Sequence, residues 1–296
     1  MIKRNGYPEG VPCWVDTNQP DPAAAADFYG GLFGWETEDV MPPDSPMRYI
    51  IGRLHGGDVG AVSSIPEGAP QSAMWNTYIW VDSADNAAAK VWEAGGEVIS
   101  EPFDVNAAGR MAVCADPEGA VFCLWQAGEH RGSVIVNEPG SVNFNNLNVR
   151  DVERAKKFYG DVFGWGTIAL GPGAEMWVLD GYAEFLERSD PGLRERMASS
   201  GAPAGFEDVV ATIIPLGDDQ PDTPAHWSVT FAVADADATA AKAEELGATV
   251  VVAPFDAPWV RTTVLADPQG AMFIASQFVP ENRDIAAPAD SAPAAA

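Results

Sequence analysis

Residues 28–35 read FYGGLFGW, and residues 158–165 read FYGDVFGW. A second pair follows, DPEGA at 116–120 and DPQGA at 267–271. The first pair is offset by 130 positions and the second by 151. An offset of 152 also aligns Asn76–Val81 with Ser228–Val233 and EPFDV (101–105) with APFDA (253–257). A chain that repeats itself in this way contains two copies of one supersecondary plan. The growth in offset places extra residues in the second copy. They lie between Tyr182 and Glu207, because Asp58-Val59 already aligns with Asp208-Val209.

Around these anchors each copy reads as strand, helix and three strands, twice over. VPCWVDTN is a strand, and the helix that follows starts with Asp21 as its cap, Pro22 in its first turn and Gly34 as its stop. The plan predicts an α+β fold of four βαβββ units. The copies are expected to span residues 8–130 and 138–280, with a disordered Ala/Pro tail over 281–296. Within the extra segment, Leu193–Met197 predicts a short helix, and Glu184 and Glu187 are read on opposite faces of a short strand.

Charge narrows the function. With 17 Lys+Arg against 43 Asp+Glu, the net charge of -26 would repel phosphate backbones, so no nucleic-acid partner is expected. Lys3 and Arg4 are followed by no apolar run, and no stretch approaches a membrane span, so neither a signal peptide nor a membrane partner is expected. Three cysteines, Cys13, Cys114 and Cys123, make no disulfide framework and fit a reducing, cytoplasmic setting. No phosphate-cradling loop, nucleophile elbow or CxxC occurs, so no nucleotide, flavin or other cofactor is expected.

The unit order, the FYxxxFGW helix end and the DPxG turn before a last strand resemble the vicinal oxygen chelate superfamily, which includes glyoxalase I, extradiol dioxygenases and bleomycin resistance proteins. The resemblance is closest to two-domain actinobacterial members labelled glyoxalase-like or hydroxylase, a mycobacterial antigen among them. It implies two curved mixed sheets of eight strands, each cupping a cavity, and two copies paired as an internal pseudo-dimer in a monomer or homodimer. Metal-dependent members place His or Glu on the first, fourth, fifth and eighth strands. Those positions fall here at Trp14, Asn76 and Cys123 in copy one and at Phe144, Ser228 and Ile274 in copy two. The fourth strands, around Gly60–Ser64 and Val210–Ile214, hold no acid or histidine. The resemblance thus implies a site that has lost its metal.

Strand parity groups the remaining candidates. In copy one, Trp14 and Asp16 share a face, as do Asn76, Tyr78 and Trp80, and Cys123 and Trp125. Trp14, Trp80 and Trp125 are read either as stacking surfaces for a flat ligand or as plain core, and Cys123 as an inert buried thiol or a nucleophile. In copy two the corresponding ligand-lining candidates are Phe144, Asn146, Asn148, Ser228 and Thr230, joined by Arg261 and Thr263. Asp16, Tyr78 and Arg110 are the candidates for acid–base chemistry. His55, His130 and His226 are too scattered to suggest a metal cluster.

Two functions follow. One is a metal-independent binder of a small organic molecule, aromatic or a secondary metabolite. The other is a lyase, isomerase or hydroxylase acting on such a molecule without the family metal, preferred to a metal-dependent glyoxalase or dioxygenase. A solid-packed interaction protein is the third reading.

Overall fold

The computed structural model describes residues 2–69, 71–171 and 174–285. The first half runs β1 (Pro12–Gln19), α1 (Pro22–Phe33), β2 (Glu36–Asp39), β3 (Tyr49–Leu54), β4 (Gly57–Ser64), β5 (Met74–Trp80), α2 (Ala84–Glu93), β6 (Glu97–Val105), β7 (Gly109–Ala115) and β8 (Val121–Ala127). The second half opens with β9 (Val142–Val149), α3 (Val152–Phe163), β10 (Gly166–Gly171) and β11 (Ala174–Val178). The extra segment follows as α4 (Tyr182–Glu187), α5 (Leu193–Ser199) and a 3-10 turn at Phe206–Asp208. The half closes with β12 (Val209–Pro215), β13 (His226–Ala232), α6 (Ala236–Glu245), β14 (Thr249–Ala257), β15 (Val260–Ala266) and β16 (Met272–Phe278). A 3-10 turn at Pro280–Asn282 follows, and residues 286–296 of the expected tail lie outside the described residues. No helix among the described residues is long and apolar enough to cross a membrane.

Each half forms one eight-stranded mixed sheet, in the order β2-β3-β4-β1-β5-β8-β7-β6 and its counterpart β10-β11-β12-β9-β13-β16-β15-β14. The α+β units are as expected, but the curved sheets are not. Each strand order is linear and ends on free edges, β2 and β6 in one sheet and β10 and β14 in the other, so the sheets are open, neither curved nor closed. A cavity therefore cannot come from a sheet wrapping round it. Other segments must wall it. The short strand expected at Glu184 and Glu187 is also corrected: both sit on α4, where Arg194 holds the two carboxylates at 2.7 and 2.6 Å.

The repeated motifs explain how the halves meet. Asp21 and Asp151 cap α1 and α3 by accepting the Ala24 and Arg154 N–H groups. Gly34 and Gly164 end those helices at φ 74, a left-handed conformation that disfavours a side chain. That turn stacks Tyr29 on Trp35 and Tyr159 on Trp165, with centroids 5.4 and 5.2 Å apart. Each aromatic cluster then docks on the other half. Tyr29 Oη donates to Asp267 Oδ2 at 2.9 Å, and Tyr159 Oη to Asp116 Oδ2 at 3.2 Å. Trp35 Nε1 donates to the Gly140 carbonyl, and Trp165 Nε1 to that of Gly10, both at 2.8 Å.

The third residue of each DPxG turn completes the lock. Glu118 accepts the backbone N–H groups of Arg150 and Asp151, and Gln269 bonds both N–H and C=O of Asp21. Both hydrophobic cores are consequently shared. One packs Phe28, Tyr29, Trp35 and Trp75 against Phe231 and Phe273, and the other packs Phe122 and Val91 against Phe158, Tyr159 and Trp165.

Loss of one of these hydroxyls leaves a buried acceptor short of a partner. Tyr159→Phe is expected to lower the unfolding free energy by about 1–3 kcal/mol. It should cost more than Tyr29→Phe, because Asp267 Oδ2 keeps a bond from Gln19 while Trp227 Nε1 loses its acceptor along with Asp116. Urea unfolding midpoints would measure both, and midpoints equal to that of the parent chain would contradict the account.

Candidate functional site

In the first half, antiparallel register sets Asp16 opposite Asn76 and Trp14 opposite Tyr78. The Asp16 carboxylate is buried and accepts three hydrogen bonds. Asn76 Nδ2 donates to Oδ1 at 2.8 Å, and Tyr78 Oη and Tyr49 Oη donate to Oδ2 at 2.7 and 3.1 Å. Trp14 Nε1 donates in turn to Tyr49 Oη at 2.9 Å. Burial raises the Asp16 pKa against the pull of these three donors. It also holds both phenols neutral, with the Asp16 charge adding to the effect.

Cys123 is buried beside them, and desolvation pushes its thiol well above the ordinary range, which leaves little thiolate for attack or ligation. Aromatic rings fill the same face of the sheet. Trp125 meets Tyr78 edge to face at 6.3 Å, and the His130 ring stands against Trp14 and Trp125 at 4.4 and 5.7 Å. Trp80 is buried nearby, 6.2 Å from Tyr7.

In the second half two of the aromatic sheet positions carry smaller side chains. Thr230 stands where Tyr78 does and Ser276 where Trp125 does, by the repeat offsets. The volume they release opens into a cavity of about 620 Å³. Phe144, Met176, Val210, Thr230, Ile274 and Ser276 line it from the sheet. The extra segment supplies a wall through Tyr182, Leu186, Met197 and Phe206, and Phe206 meets Phe144 edge to face at 6.5 Å. Trp259 and Phe278 stack in parallel at 6.3 Å on another side. Trp259 takes φ 71, a costly conformation for a bulky residue and one that tends to persist at functional sites.

The remaining sequence candidates fall elsewhere. Asn146 spends its amide on Ser228 and Thr230 and accepts from Thr212 at 2.6 Å, and Asn148 donates to Ser228 Oγ at 3.0 Å. Thr263 is buried and donates to the Val252 carbonyl. Arg110 and Arg261 are not brought to either site. Each pairs with two exposed acids, Asp85 and Asp104 or Asp237 and Asp256, and so ties a helix to a sheet edge. The residues missed from sequence, chiefly Met176, Tyr182, Leu186, Met197, Phe206 and Trp259, come mostly from the extra segment. One signal was available: a large-to-small exchange at paired positions of the two copies.

The metal of the superfamily does not fit these residues. Trp14, Phe144 and Ile274 offer no donor, and Asn76, Ser228 and a protonated Cys123 are poor substitutes for imidazole and carboxylate. Among the described residues no group of three or more His, Cys, Asp or Glu is placed to hold an ion.

Two family models match the chain, a glyoxalase-like domain over residues 14–125 and the glyoxalase/bleomycin resistance protein/dioxygenase superfamily over residues 141–274. The chain is 38% identical over 286 residues to CFP32, named as a glyoxylase, of Mycobacterium tuberculosis, covering 95% of this chain and 100% of the relative. It is 35% identical over 280 residues to the anthracycline biosynthesis protein DnrV of Streptomyces peucetius, covering 90% and 93%. Among solved structures, a Mn(II)-bound glyoxalase from Novosphingobium aromaticivorans superposes with a TM-score of 0.58 at 15% identity, covering 94% of this chain and 83% of that one. This last likeness is one of fold. The chain belongs to the glyoxalase/bleomycin resistance protein/dioxygenase superfamily.

Because the folded state favours protonated Asp16, its contribution to stability is full below the ordinary carboxylate pKa and is lost as pH rises through the raised value. Asp16→Asn keeps an acceptor and cannot ionise. Its stability relative to the parent chain is expected to rise as pH is taken upward from about 4. Thermal unfolding across a pH series measures this, and a pH-independent difference would contradict it.

Proposed function

For this member of the superfamily we propose that the second half binds one flat, largely apolar organic molecule per chain without help from a metal ion. The observation that carries the reading is the asymmetry of the halves. One sheet face is packed solid by Trp14, Tyr78 and Trp125, whereas its counterpart is cleared by Thr230 and Ser276 and walled by the extra segment. Concave, mainly apolar sites of several hundred cubic ångströms with a few polar groups are typical of small-molecule binding.

Aromatic walls from Phe144, Phe206, Trp259 and Phe278 suit stacking on a planar ring system. The relative DnrV is named for anthracycline biosynthesis, which agrees in kind with a polycyclic aromatic ligand. Sheet residues that carry hydroxyls, Thr230, Thr262 and Ser276, line the cavity and can orient such a ligand by its carbonyl or hydroxyl edge.

The test restores in the second half what fills the first. Parent protein is expected to bind anthraquinone with one-to-one stoichiometry by tryptophan fluorescence quenching, unchanged by EDTA. The double variant Thr230→Tyr, Ser276→Trp should lose that binding at least ten-fold while keeping its unfolding midpoint. Binding that survives the double substitution, or that EDTA abolishes, would sink the reading.

A further inference from the structure

The lining of the second-half cavity includes two charged side chains, Arg4 and Glu207. Glu207 has a cation beside it, with Arg194 Nε 3.8 Å from its carboxylate. Arg4 has no such partner. In a chain with 43 acidic residues, no carboxylate among the described residues pairs with its guanidinium.

Aromatic rings hold Arg4 instead. Its guanidinium carbon lies 5.9 Å from the centroid of Tyr7 and 5.8 Å from that of Tyr182. Both rings are anchored. Tyr7 Oη donates to the Ser133 carbonyl at 2.6 Å, and Tyr182 is the buried first residue of α4. The Arg4 backbone N–H donates to the Val134 carbonyl at 2.8 Å, which fixes the N-terminal segment over the cavity of the other half.

Aromatic contact of this kind positions a guanidinium, and a bond to the Tyr182 hydroxyl engages part of its fork while the other N–H donors remain for a ligand. The charge is felt locally: burial raises the Tyr182 phenol, and Arg4 opposes that rise. A half-buried cation at the edge of an apolar cavity, oriented by aromatic neighbours and lacking a carboxylate of its own, matches a ligand anion.

We propose that Arg4 is the anion-binding residue of this cavity and that its ligand is a planar aromatic acid, with the carboxylate held by Arg4 and the rings among the apolar walls. The inference rests on the binding role proposed above and adds the chemical class of the ligand. It also gives the N-terminal segment a part in a site otherwise built by the second half.

Anthraquinone carboxylate and its uncharged carboxamide separate the two ideas. By titration calorimetry the parent chain is expected to bind the acid about ten-fold more tightly than the amide, with the preference shrinking as salt rises. Arg4→Gln should erase the preference and leave amide binding within two-fold, and Arg4→Lys should keep part of it. Unfolding midpoints of both variants check that the segment still packs. Equal binding of acid and amide by the parent chain, or a preference that persists in Arg4→Gln, would overturn the role of Arg4 while leaving the cavity reading intact. Binding of neither compound would overturn both.

Discussion

Each half of this protein is completed by the other. The hydroxyls of Tyr29 and Tyr159 reach across to Asp267 and Asp116, and the indoles of Trp35 and Trp165 reach across to backbone carbonyls. The aspartates already accept two backbone N–H groups each within their own turns, and the tyrosine bond ties each carboxylate to the partner helix, beside the contacts that Glu118 and Gln269 make at that helix's start. These polar contacts sit inside aromatic clusters, where an unmade hydrogen bond costs most. Because the helical face of each sheet is spent on the shared cores, only the opposite face is left to hold a ligand.

That face has gone two ways on one backbone plan. In the first half, large rings meet across it and enclose a carboxylate whose own burial disfavours its charge. In the second, a tyrosine and a tryptophan are replaced by threonine and serine, and the space gained is retained because the extra segment roofs it. Open, uncurved sheets make this wall necessary. Without α4, α5 and the turn that follows, the cleared face would be a shallow apolar surface exposed to water.

Much of the fold was legible in the sequence because its signals are local and repeated. Asp before a helix, Gly after FYxxxF, and DPxG between strands each specify backbone geometry through their own atoms, and a repeat gives each signal twice. Strand parity brought Asp16, Asn76 and Tyr78 together for the same reason, since side-chain alternation needs no tertiary knowledge. Sheet shape was not legible, because curvature is a collective property that no single residue encodes. Arg110 and Arg261 illustrate another limit. Parity assigns a face, but it does not reveal that acids on a neighbouring helix and hairpin will capture a guanidinium before any ligand does. Trp259, Met197 and Arg4 reach the cavity from a turn, an inserted helix and the N-terminal segment, whose paths are set only by packing against the rest of the molecule.

The most direct test of a single, aromatic-lined site is a crystal structure of the chain grown with anthraquinone carboxylate. The account predicts one molecule per chain, lodged in the second half between the sheet and the α4–α5 wall, with no metal ion bridging it to the protein. A molecule seated against Asp16 and Tyr78 in the first half, or held through a metal ion in either half, would contradict it.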